Sequence, residues 1–278
     1  FWQRHAAQIE ARRAERIKSF IASIFTQAVP KQGKGGLVTA SDLLTAANKR
    51  VETELASNQA DKSELQTIIG ASFLALDEPA KAAPVLRRAL ESCDADAGSD
   101  RGCKLRAAVL LSDSLLGTRE LNEALALLDE HLPQLPASSV AAEDVVVGWR
   151  VRGDVLTILN RQKEALTSYG RAIDLAAQWL VRDHRAELEA LIARADSFAY
   201  FNYTPDSLVA AEQAVRRVTA ARGRLRPDVL LAKSERAYGL ALVSAGRGTE
   251  ALPIMRRVLD DARQLDVADT PRVADAEW

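Results

Sequence analysis

Small and apolar residues recur along this chain at a long, regular spacing. A small residue is followed by an apolar one three positions later and by Ala or Ser at twelve. A larger residue often follows at sixteen, and a small or apolar one at nineteen. The first copy reads Gly70, Phe73, Ala82, Leu86, Ala89, and the second Ser112, Leu115, Ala124, Leu128, His131. The third, with Trp149 ahead of it, reads Gly153, Leu156, Ala165, Tyr169, Ala172. The fourth is Ala195, Phe198, Ser207, Ala211, Ala214, and the fifth Gly239, Leu242, Ala251, Met255, Val258. Successive leading residues lie 42, 41, 42 and 44 positions apart. The turn-like segments "LDEPAK", "GTRE", "NRQKE", "NYTPDS" and "AGRGTE" break each copy in two. Each copy therefore reads as a helical hairpin that cannot bury its apolar face alone, and stacking on the next copy buries it. The small residue lets two helix backbones approach, and the larger residues interlock across the pair.

The pattern outside the repeats is simpler. Residues 1–30 read as one long helix ending near Pro30, with Ile17, Phe20, Ile21, Ile24, Phe25 and Ala28 on one stripe. Its "EARRAER" half is charged all round and reads as solvated. "PKQGKGG" is a linker. It lacks the Gly five residues before Gly-Lys and the Ser or Thr after it that a phosphate-cradling loop requires. Thr39, followed three positions later by Asp42, predicts a capped helix start. At the other end, Thr270 before Pro271 opens a helix in "DTPRVADAEW", with Trp278 near the place Trp149 takes in the third copy. The expected organisation is a helix over 1–30, a linker and capping helix over 31–60, five repeats over 61–265, and a capping segment over 266–278.

Composition narrows the function. Apolar residues make up 47% and charged residues 27%, with only 14 Gly and 9 Pro, which favours helices. Lys plus Arg is 37 against 38 for Asp plus Glu. A net charge of -1 gives no overall electrostatic reason for a nucleic-acid partner, and none is expected. No run of about 18 apolar residues is present to span a membrane. The chain begins at Phe1 and its sole methionine is Met255, so it reads as part of a longer protein. No nucleophile elbow, zinc-protease, Cys-x-x-Cys or dinucleotide motif occurs. His131 reads as a packing or capping residue and His184 as solvated. The "RGD" at 152–154 falls inside a predicted helix, and the arginine-rich "RVTAARGRLRP" reads as an inter-repeat loop. No enzymatic activity, cofactor or metal is assigned.

The repeat resembles the tetratricopeptide repeat (TPR), in the longer variety of about 42 residues seen in kinesin light chains, over roughly residues 61–265. The resemblance implies an all-α, right-handed superhelix of TPR-like hairpins. It also implies a concave groove, lined by the first helix of each repeat, that holds a protein or peptide ligand. In the family pattern the residue after the small position faces that groove. Asp113, Asp154 and Asp196 occupy it in the second, third and fourth copies, while the first and fifth have Ala71 and Leu240. Arg150 lies one turn before Asp154, and Arg236 takes the equivalent place in the fifth copy. Two readings stand: a solvated helix face of ion pairs, or an acidic ladder for a basic or amide-rich peptide.

The order "EARRAERIKSFIASIF", "LVTASDLL", "ELQTIIGASFLAL", "AAPVLRRAL" resembles the sensor region of bacterial transmembrane serine/threonine kinases of the eukaryotic-like type. That resemblance implies a juxtamembrane helix followed by TPRs in the periplasm, tethered to the inner membrane by a helix preceding Phe1. Phe1 and Trp2 would be its interfacial edge. A cytoplasmic kinase outside this chain would read out the signal, and dimerisation of two copies or helix orientation would carry it. The alternative is a cytoplasmic TPR scaffold of a bacterial regulator. Cys93 and Cys103, flanking "DADAGSDRG", bear on the choice. In the periplasm a disulfide is allowed, and two unpaired thiols fit the cytoplasm. A metal site is the poorest reading: His5, His131 and His184 are scattered, and a calcium loop begun at Asp94 meets Ser99 and Leu105 where Gly and Glu are needed.

Overall fold

The structure, a computed structural model, describes residues 39–55, 58–95, 101–132, 141–202, 204–222 and 228–265, together with 15, 17–19 and 22. The segments expected as a linker and as the C-terminal cap, the aromatic pair Phe1–Trp2 and most of the N-terminal helix lie outside the described residues. Glu15, Ile17, Lys18, Ser19 and Ala22 are helical. Every regular element among the described residues is an α-helix. The chain divides into two compact units, Phe1–His131 and Leu132–Trp278.

The first unit contains α1 (Ala40–Glu54), α2 (Gln59–Ala75), α3 (Pro79–Ala95), α4 (Arg101–Gly117) and α5 (Leu121–His131). The second contains α6 (Ala142–Ile158), α7 (Gln162–Trp179), α8 (Arg185–Tyr200), α9 (Thr204–Arg222), α10 (Val229–Ser244) and α11 (Gly248–Leu265). Helix α1 starts where the sequence places it. The Thr39 hydroxyl accepts from the Asp42 amide (3.1 Å), and the Asp42 carboxylate accepts from the Thr39 amide (3.0 Å). Within each unit, successive helices pack as antiparallel hairpins, and the first helix of one hairpin also packs on the first helix of the next. These first-helix contacts are α2 with α4, α6 with α8, and α8 with α10. The fold is all-α and built from TPR-like hairpins.

The spacing of sixteen is a contact. A Cβ added to Gly153 would lie 2.5 Å from the Tyr169 ring, one at Gly70 would come equally close to Leu86, and one at Gly239 would meet the Met255 sulfur at 2.5 Å. Absence of a side chain thus lets the second helix seat its bulkiest residue against the first. At the second copy Ser112 turns its hydroxyl to the carbonyls of Ala108 (2.8 Å) and Ala124 (3.3 Å), so it behaves as a small buried residue. In the fourth copy Ala195 and Ala211 share one buried cluster with Ala210, Ala237 and Ala241.

The turns share a device that hydrophobic patterning does not reveal. Seven residues beyond each small position stands a residue with positive φ: Asp77, Arg119, Asn160, Asn202 and Gly246, at 61°, 67°, 58°, 58° and 74°. The next amide reaches back to close the helix end, as Glu78 to the Phe73 carbonyl (2.9 Å) and Arg161 to that of Leu156 (2.8 Å). This left-handed C-terminal cap ends the first helix and reverses the chain. Arg119 is exposed, and its Cβ strains in this region, which costs a non-glycine residue on the order of 1 kcal/mol. Arg119→Gly is therefore expected to raise the melting temperature by about 2–4 °C, read by circular dichroism. A lower melting temperature would mean the arginine side chain supports the turn.

Cys93, in the last turn of α3 and fully buried, stands at bonding distance from Cys103 in the first turn of α4. Their Cα atoms are 5.9 Å apart, which suits a disulfide joining the first hairpin to the second.

Candidate functional site

The second unit places the residues after its small positions on adjoining first helices. Gly153 sits beneath the Tyr169 ring, so Asp154, the next residue on α6, is brought to the phenol oxygen. That hydroxyl donates to Asp154 Oδ1 (2.8 Å), and Arg150 donates to Oδ2 (2.5 Å) from one turn earlier. Both oxygens of Asp154 thus have partners within its own hairpin. Tyr169 is buried, and burial with the Asp154 charge pushes its phenol far above the usual tyrosine range, so it stays a donor. Thr157 continues the network. It meets the Tyr169 hydroxyl at 3.1 Å and the Ser197 hydroxyl on α8 at 2.9 Å.

Asp196 on α8 is held differently. Its Oδ2 accepts from Arg236 on α10 (2.9 Å), forty residues away and in the next repeat. Its Oδ1 is buried and accepts no hydrogen bond. Burial is the main reason its carboxyl is pushed up to about 6. Arg236 and Lys233 pull it down, and the neighbouring Asp154 charge pushes it further up. Asp113, half-buried on α4, belongs to the first unit. The structure thus brings together four of the five groove residues read from the sequence, on α6, α8 and α10. It also adds Tyr169 and Thr157 from the same hairpin as Asp154, and Ser197 and Lys233, whose part rests on contacts between repeats.

Other singled-out residues find structural places. His184, read as solvated, caps α8: its Nδ1 accepts from the Ala186 amide at 3.3 Å. His131 is the last residue of α5. In the "RGD" segment Arg152 donates to Ser168 (2.9 Å), Gly153 is covered by Tyr169, and Asp154 is bonded as above, so the tripeptide is helical and committed to packing. Among the described residues no helix is long and apolar enough to cross a membrane.

No protein-family model matches the chain, and no curated protein matches it. Solved structures do. BtubC (BKLC) from P. vanneervenii is 14% identical with a TM-score of 0.64, over 84% of this chain and 94% of that one. A putative kinesin light chain from Podosopora anserina with nearly identical TPR-like repeats is 15% identical with a TM-score of 0.53, over 74% of this chain and 98% of that one. A substituted form of that same protein is 14% identical with a TM-score of 0.54, over 73% of this chain and 96% of that one. At such identity the likeness is one of fold: the chain has the TPR-like architecture of these proteins.

Proposed function

We propose that this chain is the recognition region of a bacterial receptor serine/threonine kinase. It is displayed in the periplasm, tethered to the inner membrane through a helix preceding Phe1, and it takes a protein or peptide segment along its first helices. The observation that carries the recognition reading is the row on the second unit. There Asp154 and Asp196 stand at one register of the adjoining helices α6 and α8, and Arg150 and Arg236 at another on α6 and α10, each still partly reached by solvent. A register repeated from helix to helix suits an extended segment, which offers backbone and side-chain groups at a regular rise. The Cys93–Cys103 pair supports placement outside the cytoplasm, where disulfides persist. Bound ligand would bias helix orientation or pairing of two tethered copies, and the kinase would read that bias.

The test replaces Asp154 and Asp196 together with Asn and measures two things: thermal melting, and binding to a panel of basic and amide-rich peptides. A charge-assisted hydrogen bond contributes about 1.5–3 kcal/mol when well placed, reduced here by solvent and by the existing arginine partners. The expected result is a loss of binding of about tenfold or more with the helical spectrum retained. Unchanged binding with a lowered melting temperature would assign the row to structure.

A further inference from the structure

The chemistry of a segment that fits the row depends on what its carboxylates have left to offer. Asp154 Oδ1 accepts from the Tyr169 hydroxyl and Oδ2 from Arg150. Asp196 Oδ2 accepts from Arg236, and its Oδ1 is buried. Each oxygen of the two carboxylates is thus bonded within the array or closed to solvent. A lysine or arginine arriving from outside has to displace a guanidinium already in place. It also meets Lys233, a cation whose charge acts on Asp196. With one guanidinium held by each carboxylate, the row has little net field to draw in a charged ligand.

The outward surface is of another kind. The Arg236 side chain is 35% exposed, and it donates to Asp196 from one nitrogen of a fork that carries five N–H groups. Ile158 stands one turn beyond Asp154, and Tyr200 one turn beyond Asp196, at 37% and 60% exposure. They close the adjoining helices α6 and α8 at one register, as the carboxylates share another. On α10 the carboxylate's place is taken by Leu240. Hydrogen-bond donors flanked by apolar side chains suit amide carbonyls and apolar groups, since a carbonyl oxygen accepts from a guanidinium without bringing a charge of its own.

Given the recognition reading on which this rests, we infer that the ligand is an uncharged extended segment, held at its amide carbonyls by Arg236 and at its apolar side chains by Ile158 and Tyr200. Asp196 is then a positioning residue, which aims the guanidinium rather than meeting the ligand. Recognition of this kind depends on shape and hydrogen bonding, so added salt leaves it largely unmoved, whereas a contact between exposed charges weakens.

The whole chain is titrated with three peptide sets of equal length: one lysine-rich, one aspartate-rich, and one uncharged with asparagine, glutamine and apolar residues. Each titration is run at about 0.05 and 0.5 M sodium chloride. The uncharged set is expected to bind with a Kd that changes less than about threefold between the two salts, and both charged sets about tenfold more weakly or worse. Tyr200→Ser is expected to weaken the uncharged set about fivefold. Arg236→Gln opens the Asp196 carboxylate, so the lysine-rich set should gain about tenfold at the lower salt. Tightest binding by a charged set, lost at the higher salt, would overturn the inference and leave the recognition reading standing. Uncharged binding unmoved in Tyr200→Ser, or no gain for the lysine-rich set in Arg236→Gln, would overturn it as well. Binding by no set at either salt would overturn the recognition reading and this inference together.

Discussion

Tyr169→Ala is expected to destabilise the second unit by about 4 kcal/mol, the middle of the range for loss of a buried aromatic side chain. The ring is 1% exposed and rests on Gly153, which has no side chain to move into the space. Its hydroxyl also holds Asp154 and meets Thr157, so those groups lose a partner in the same step. Tyr169→Phe keeps the ring and removes only the hydroxyl, and should cost about 1–2 kcal/mol. Urea unfolding of the two variants separates packing from hydrogen bonding. A loss below about 1.5 kcal/mol for Tyr169→Ala would show that the third repeat closes over the gap, and the interlocking pair would then not be what holds the hairpin.

Arg217→Ala is expected to cost about 3 kcal/mol. Arg217, on α9, donates to Asp183 (2.8 Å) in the turn before α8 and to Glu187 (2.7 Å) in its first turn. Glu187 is only 4% exposed and also accepts from the Asp183 amide (3.0 Å). Removing the guanidinium leaves a buried carboxylate without its cation beside a turn residue held at positive φ. A partly exposed arginine keeps the figure at the low end of the range for broken buried pairs. Arg217→Lys retains charge but not the forked donor geometry, and should recover about half the loss. If Arg217→Ala melts like the unmodified chain, water enters to solvate Glu187 and the clamp contributes little.

The repeat was legible because its signal is steric and periodic. Gly70 with Leu86, Gly153 with Tyr169, and Gly239 with Met255 keep one offset, and an offset is visible in one dimension. The cap at Thr39 was legible for the same reason: its two bonds join residues three apart. The shared left-handed turn was not. Asp, Arg, Asn and Gly all occupy it, so the property lies in the backbone and leaves no common residue. Nor were the partners of the groove carboxylates fully readable. Arg150 with Asp154 is one helical turn and could be foreseen, whereas Arg236 with Asp196 joins residues forty apart. The recurring Asp at the position after the small residue falls on the first helices α4, α6 and α8. Asp154 is paired within its own hairpin, whereas the partner of Asp196 comes from the next repeat.

Whether this hairpin array is a receptor outside the cytoplasm, as proposed, turns on the state of Cys93 and Cys103. Cys93 is fully buried at the end of α3, and Cys103 opens α4, with Cα atoms 5.9 Å apart, so the fold holds the thiols ready to pair in an oxidising compartment. Closing a loop of ten residues stabilises the folded state by about 3 kcal/mol in the chain-entropy model. The measurement is mass spectrometry of the protein taken from its native cells, with thiols alkylated before lysis and digestion done without reductant. The expected result is one linked peptide pair carrying both cysteines and no alkylated thiol. Two fully alkylated cysteines would contradict it and place the chain in the cytoplasm as a scaffold.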